Sequence, residues 1–183
     1  MSNPAQAVKI ETLFPAEAIA ERTKALAAEI RAAGFMENVL VVSILKGSFV
    51  FAADLIRAMH HEAISPQVDF ISLSSYHAGT SSSGTITVLR DLETDVAGRD
   101  VLIVDDILES GRTLGYTRDL LLSRGARRAE IVVLLDKPGK RAVQLEAEFV
   151  GFRCPDKFVV GYGMDMAHSF RELPFIGHVI SQV

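Results

Sequence analysis

The sequence predicts an α/β protein with a doubly wound, mainly parallel central sheet flanked by helices. Three observations lead there. Short, almost wholly apolar runs recur along the chain, as strands covered on both faces require. Segments of helical periodicity alternate with them, which implies right-handed crossovers between parallel strands. Residues able to carry chemistry stand directly after several of the runs, at the edge where such sheets place their ligands.

Phe14–Ala33 reads as the opening helix: Pro15 suits a first turn, Ile19, Leu26 and Ile30 share one face, and Gly34 closes it. Val39–Leu45 (VLVVSIL) is a buried strand that runs into Lys46-Gly47-Ser48 and a second helix from Phe49 to Met59. After Pro66, Val68–Leu73 reads as a strand. The Ser/Gly-rich segment Ser74–Gly84 separates it from another at Thr85–Leu89. Val101–Val104 (VLIV) is a strand that ends on an acidic pair, and helix Thr113–Arg124 follows, with Gly125 as its stop. Ile131–Leu135 is the next buried strand. Beyond Pro138-Gly139 come short elements at Phe149–Phe152 and Phe158–Val160, then a tail around Pro174 without regular structure. No repeat or linker divides the chain, so residues 1–183 are expected to form a single domain.

With 49% hydrophobic and 23% charged residues, the 183-residue chain can build a core. Nineteen basic residues against 23 acidic ones give a net charge of −4, which argues against a nucleic-acid partner. The single cysteine, Cys154, removes any internal disulfide or cysteine-based zinc site. His60, His61, His77, His168 and His178 show no metal-ligand spacing. Apolar runs fall well below the ~18 residues of a membrane helix, and Met1–Ile10 has no signal pattern. A cytoplasmic protein with no membrane partner is expected.

The chemistry concentrates at Val104–Leu114, where an apolar strand meets Asp105 and Asp106, then Glu109-Ser110-Gly111, then a helix start. Free amides and a positive dipole end suit a phosphate monoester there. Gly111 permits close backbone approach, and Ser110 and Thr113 offer hydroxyls. Carboxylates repel phosphate, so Asp105 and Asp106 must serve otherwise, by accepting hydroxyls or balancing a metal's charge. A sugar phosphate satisfies both demands. The Walker spacing is absent.

This segment resembles the phosphoribosyl-diphosphate motif of type I phosphoribosyltransferases, and the rest of the chain resembles their hypoxanthine–guanine branch. Leu45-Lys46-Gly47-Ser48 matches the diphosphate loop, Ser75-Tyr76 the start of the mobile loop, and Leu134-Leu135-Asp136-Lys137 the lysine segment. Pro155–Asp165 matches the base and metal segment, with Phe170-Arg171-Glu172-Leu173 downstream. The motifs cover nearly the whole chain in order.

The resemblance implies the fold, with a small hood built from the terminal segments, and a reaction. The 5-phosphoribosyl group would pass from phosphoribosyl diphosphate to a 6-oxopurine in purine salvage, with Mg²⁺ required. Asp105, Asp106, Ser110, Gly111, Arg112 and Thr113 would bind the phosphoribosyl group. Lys46, Gly47 and Arg171 would hold the diphosphate, with a cis peptide expected at Leu45–Lys46. Lys137, Phe158 and Val159 would bind the purine. An ammonium has only donors, so Lys137 would prefer a 6-oxo group to a 6-amino group. Standing alone, Lys137 in a Lys-Pro-Gly-Lys turn would read as a surface lysine. Asp165 would bind Mg²⁺, Ser75 and Tyr76 would close over the site, and Glu109 would handle the N7 proton. Homodimers or homotetramers are implied.

Glu109 departs from the family, which usually carries aspartate there and glutamate at the position of Asp105. The longer side chain changes the reach by about 1.5 Å. Two other readings are open: a regulatory protein that binds the same donor, and a transferase of xanthine and guanine. The first calls for a basic face or an added module, and this acidic chain has neither.

Overall fold

The computed structural model describes residues 8–75 and 86–182. Tyr76 lies outside the described residues, and Ser75 is described only as the last backbone position of its strand. The chain opens with β1 (Val8–Phe14), α1 (Ala16–Ala32), β2 (Val39–Leu45), α2 (Phe49–His61), β3 (Gln67–Ser75) and β4 (Ile86–Arg90). It continues with β5 (Asp100–Leu108), α3 (Arg112–Ser123), β6 (Arg128–Asp136), β7 (Phe149–Arg153), β8 (Val159–Val160) and β9 (Ile176–Gln182).

Six strands form the central sheet in the order β4-β3-β2-β5-β6-β7. Every neighbouring pair is parallel except β3–β4. Strand alternation sends successive side chains to opposite faces. Val39 and Val41, Leu102 and Val104, Val132 and Leu134 therefore pack with Leu26, Ile30, Leu55 and Met59 of α1 and α2. Leu40 and Val42, Val101 and Ile103, Ile131 and Val133 pack with Leu114 and Leu121 of α3 on the other face. Each such side chain contributes roughly 1.5–3 kcal/mol on burial, and both faces are needed to cover these all-apolar runs. The doubly wound expectation is met.

Three expectations change at element ends. The strand expected over Val101–Val104 runs on to Leu108, because Asp105 and Ile107 pair with Val133 and Leu135 of β6. The backbone ladder decides the strand's end, not the hydropathy of its side chains, so the acidic pair belongs to the strand. The irregular tail instead contains β9, which pairs antiparallel with β1 and β8 as a separate sheet. Register shifts at Lys9/Ile10 and Thr12/Phe14 break the two-residue period that would have announced β1. Phe14 lies in that strand rather than in α1, which starts at Ala16 after the N-cap Pro15.

The β1-β9-β8 sheet is the expected terminal hood. Phe14 stacks on Phe152 of β7, with ring centroids 4.4 Å apart, and so ties the hood to the edge of the main sheet. Arg22 of α1 donates to the carbonyls of Val150 and Gly151 at 2.7 and 3.0 Å, blunting that same edge. Phe14→Ala is expected to lower the unfolding free energy by about 1–3 kcal/mol, the loss of a partly buried ring and its stacking. Urea denaturation measures it, and an unchanged midpoint would show that the hood docks without this ring.

Candidate functional site

The carboxyl ends of β2, β5 and β6 present Lys46, Glu109 and Lys137 side by side at one edge of the sheet. The amide of Lys137 donates to the carbonyl of Leu108 at 2.9 Å, locking two of these ends together.

Between β5 and α3 the chain turns at Gly111, whose φ of +78° an L side chain adopts only with strain. The space is closed as well, since a Cβ there would meet Val143 Cγ2 at 2.9 Å. The Ser110 carbonyl accepts the amides of Ala142 and Val143 at 2.9 and 3.3 Å, which pins the turn to the chain after β6. The N-cap Gly111 has no side chain to cap α3, and past the Arg112 amide, which Ser110 takes, the next amides at the helix start are open to an anion. A hollow of about 100 Å³ lies over them, lined by Asp105, Glu109, Ser110, Gly111 and Thr113 among others. Arg112 gives this turn its amide, which donates to Ser110 Oγ at 3.3 Å. The exposed Arg112 side chain lines neither this hollow nor the larger one described below.

Asp105 lines this hollow, and its neighbour Asp106 lines the larger one described below. Burial, reinforced by the neighbouring charge of Asp106, pushes the Asp105 carboxyl well above the usual carboxylate range. Burial also raises Asp106, though amide donors and Arg171 temper it. Such a pair calls for hydroxyl donors or a cation. Asp106 Oδ2 also fills the space where a Gly47 side chain would start, well inside van der Waals contact of the Cβ position. Gly47 is therefore required by close approach. The Leu45–Lys46 peptide before it is cis.

On the far side of Gly47 lies the segment that carries Asp165. Arg171 reaches back across it, ion-paired to Asp165 Oδ1 at 2.6 Å and donating to the Gly163 carbonyl at 2.5 Å. The amide of His168 donates to Asp165 Oδ2 at 2.8 Å. Arg171 is thus paired with the very carboxylate assigned to the metal.

A second hollow of about 440 Å³ adjoins, lined by Asp106, Glu109, Lys137, Lys140, Phe158 and Asp165 among others. Lys137 is only 7% exposed, and its Nζ donates to the Lys157 carbonyl at 2.6 Å. Phe158, 57% exposed, offers a free ring face, while Val159 is buried in β8 with its neighbour Val160. Both Lys137 and Lys140 approach Glu109 Oε1, at 3.9 and 3.6 Å. Arg141 donates to the Glu109 carbonyl at 2.9 Å and pairs with Asp136. A larger hollow, about 820 Å³, lies between α1, α2 and residues 171–174, but its walls are mainly apolar. It carries Arg171 on its wall, while Asp106, Glu109, Lys137, Lys140, Asp156 and Asp165 gather at the smaller one.

Lys140, Arg141 and Asp156 escaped the sequence reading. The signal was present in the density of cations in Lys-Pro-Gly-Lys-Arg directly after a buried strand, at the ligand edge of the sheet.

A doubly wound sheet that carries an amide cradle, a raised acid pair and a hollow lined by both lysines and carboxylates on its carboxyl edge has the build of an α/β sugar-phosphate-binding protein. Residues 9–167 match the phosphoribosyl transferase domain family, to which the chain belongs. It is 40% identical over 171 residues to the hypoxanthine-guanine phosphoribosyltransferase of Streptococcus pyogenes serotype M3, covering 93% of each chain. It is 43% identical over 173 residues to the hypoxanthine phosphoribosyltransferase of Escherichia coli K12, covering 93% of this chain and 96% of that one. The crystal structure of a Staphylococcus aureus hypoxanthine phosphoribosyltransferase superposes with a TM-score of 0.87 at 41% identity, covering 96% and 93% of the two chains.

The acid pair has a consequence for stability. Folded Asp105 holds its proton more tightly than unfolded Asp105, so folding takes up protons between the ordinary and the raised value. Stability then falls as pH climbs through that interval. Asp105→Asn is expected to raise the urea midpoint at neutral pH and to flatten this fall. A lower midpoint with an unchanged pH slope would contradict it.

Proposed function

We propose that the chain transfers the 5-phosphoribosyl group of phosphoribosyl diphosphate to N9 of hypoxanthine, and of guanine, releasing diphosphate and the nucleoside monophosphate. The setting is purine salvage in the cytoplasm, by a homodimer or homotetramer. The observation that carries this reading is Lys137: a nearly buried ammonium at the wall of a 440 Å³ hollow, beside Glu109, which also lines the hollow at the start of α3.

The 5′-phosphate sits on the amides of 110–113, with the Ser110 and Thr113 hydroxyls beside it and the Arg112 amide at the helix start. Asp105 and Asp106 accept the ribose hydroxyls, which supply the donors that two buried carboxylates lack. Lys46 and Gly47 hold the diphosphate. Arg171 joins them by releasing or sharing Asp165. Phe158 stacks on the purine, Val159 meets its edge through backbone groups, and Lys137 donates to the 6-oxo oxygen. Ser75 and Tyr76 belong to a segment that closes over the donor. In the reaction N9 forms a bond to C1′ as the bond from C1′ to the diphosphate oxygen breaks, and Glu109 takes the proton from N7.

The residues present suit Mg²⁺. Among the described residues no cluster of three or more potential ligands forms a protein cage. Asp165 faces the hollow with lone pairs to spare, and Mg²⁺ commonly takes one or two carboxylates and completes its shell with phosphate oxygens and water. When bound, the ion would neutralise charge that develops on the departing diphosphate.

Labelled hypoxanthine and phosphoribosyl diphosphate should give labelled nucleoside monophosphate with Mg²⁺ and none in excess chelator. Adenine should be used at least ~100-fold less well. Equal use of adenine would overturn the role of Lys137, and full turnover in chelator that of Mg²⁺. Glu109→Gln should lower kcat by ~10²–10³ with donor KM nearly unchanged. Steady-state kinetics decide, and unaltered kcat would remove Glu109 from the chemistry.

A further inference from the structure

We propose that Lys140 is a positioning residue, an ammonium anchored on Asp156 that holds one oxygen of Glu109 so that the other faces the purine. This deepens the reading of Glu109 as proton acceptor and rests on it.

The geometry is specific. Lys140 Nζ lies 2.8 Å from Asp156 Oδ1 and 3.6 Å from Glu109 Oε1. It sits on the 3-10 turn Pro138–Lys140, directly after β6, whereas Asp156 precedes the Phe158 segment and Glu109 opens the phosphate turn. One ammonium therefore spans three separate pieces of the site. Its three donors allow both contacts at once. Asp156 and Glu109 together raise the affinity of Lys140 for its proton, the hydrogen bond to Asp156 contributing most, so the ammonium remains charged.

Glu109 needs such a restraint. It stands at a bend, about two-fifths of its side chain is exposed, and it has one more rotatable bond than aspartate. A free glutamate in that place samples several rotamers, most of them useless to a proton at a fixed site. The restraint comes from two sides. Lys137, fixed by the Lys157 carbonyl, and Lys140, fixed by Asp156, both contact Oε1, which leaves Oε2 to meet the N7 proton. Arg141 fixes the Glu109 backbone through its carbonyl. Lys137 is committed to the 6-oxo group in the proposed reaction, so Lys140 is the cation left to hold the carboxylate.

The test is a double-mutant cycle between Lys140 and Glu109, read as kcat and KM. Lys140→Met is expected to lower kcat about 10-fold with both KM values within about 3-fold, the mark of lost positioning rather than lost binding. Lys140→Arg should restore most of kcat. In the Glu109→Gln background Lys140→Met should change kcat less than about 2-fold, since there is no carboxylate left to hold. Lys140 is largely exposed, so the variants are expected to fold, and thermal melts verify it. Unchanged kcat for Lys140→Met, or the same loss in both backgrounds, overturns the proposal and leaves the role of Glu109 standing. Full activity of Glu109→Gln alone removes both.

Discussion

Two neighbouring carboxylates buried at the end of the central strand dictate much of the surrounding structure. Asp105 is buried and Asp106 half-buried, and the loss of water raises both carboxyls above the usual range. A fold built for stability alone would place apolar residues there, as it does one residue earlier at Val104. Their presence makes sense only beside something that donates hydrogen bonds or brings positive charge. Nearby features answer that need: the open amides at the start of α3, the guanidinium of Arg171, and hollows of about 100 and 440 Å³ that a donor group can enter.

The acid pair also governs the backbone around it. Asp106 can lie where it does only because residue 47 lacks a side chain, and the carbonyl of Gly47 in turn occupies the place where a Gly163 side chain would begin. The central strand, the Gly47 loop and the Asp165 segment thus approach one another closely. A change in any one of the three is felt by the others, because close-packed backbone has little room to yield. Charge is handled in the same compact way: Asp165 with Arg171, Asp156 with Lys140, and Asp136 with Arg141 each bring opposite charges to the rim of the site.

Much of this was legible beforehand. The apolar runs of β2, β5 and β6 announced strands covered on both faces, and the turn at 109–113 announced itself by its residue types. The end of β5 was not legible, since pairing with β6 carries the strand through two aspartates that no propensity would place in a sheet. Nor were β1 and β9, whose partners lie at opposite ends of the chain and whose pairing is interrupted by register shifts. Lys140 and Arg141 were given no role in the sequence, and the structure places both of them on Glu109.

The amino-acid order by itself determined the layered α/β class, the edge of the sheet where the charged groups gather, and the glycine turn that opens α3. These follow from hydrophobic period and from the chemistry of short segments, which are local properties. Tertiary structure alone decided which lysines face Glu109, that Arg171 is paired with Asp165, and that β1 and β9 pair beside the edge of the main sheet. Those are contacts between residues far apart in the chain. Their partners are chosen by packing, and packing leaves no mark in any one stretch of sequence.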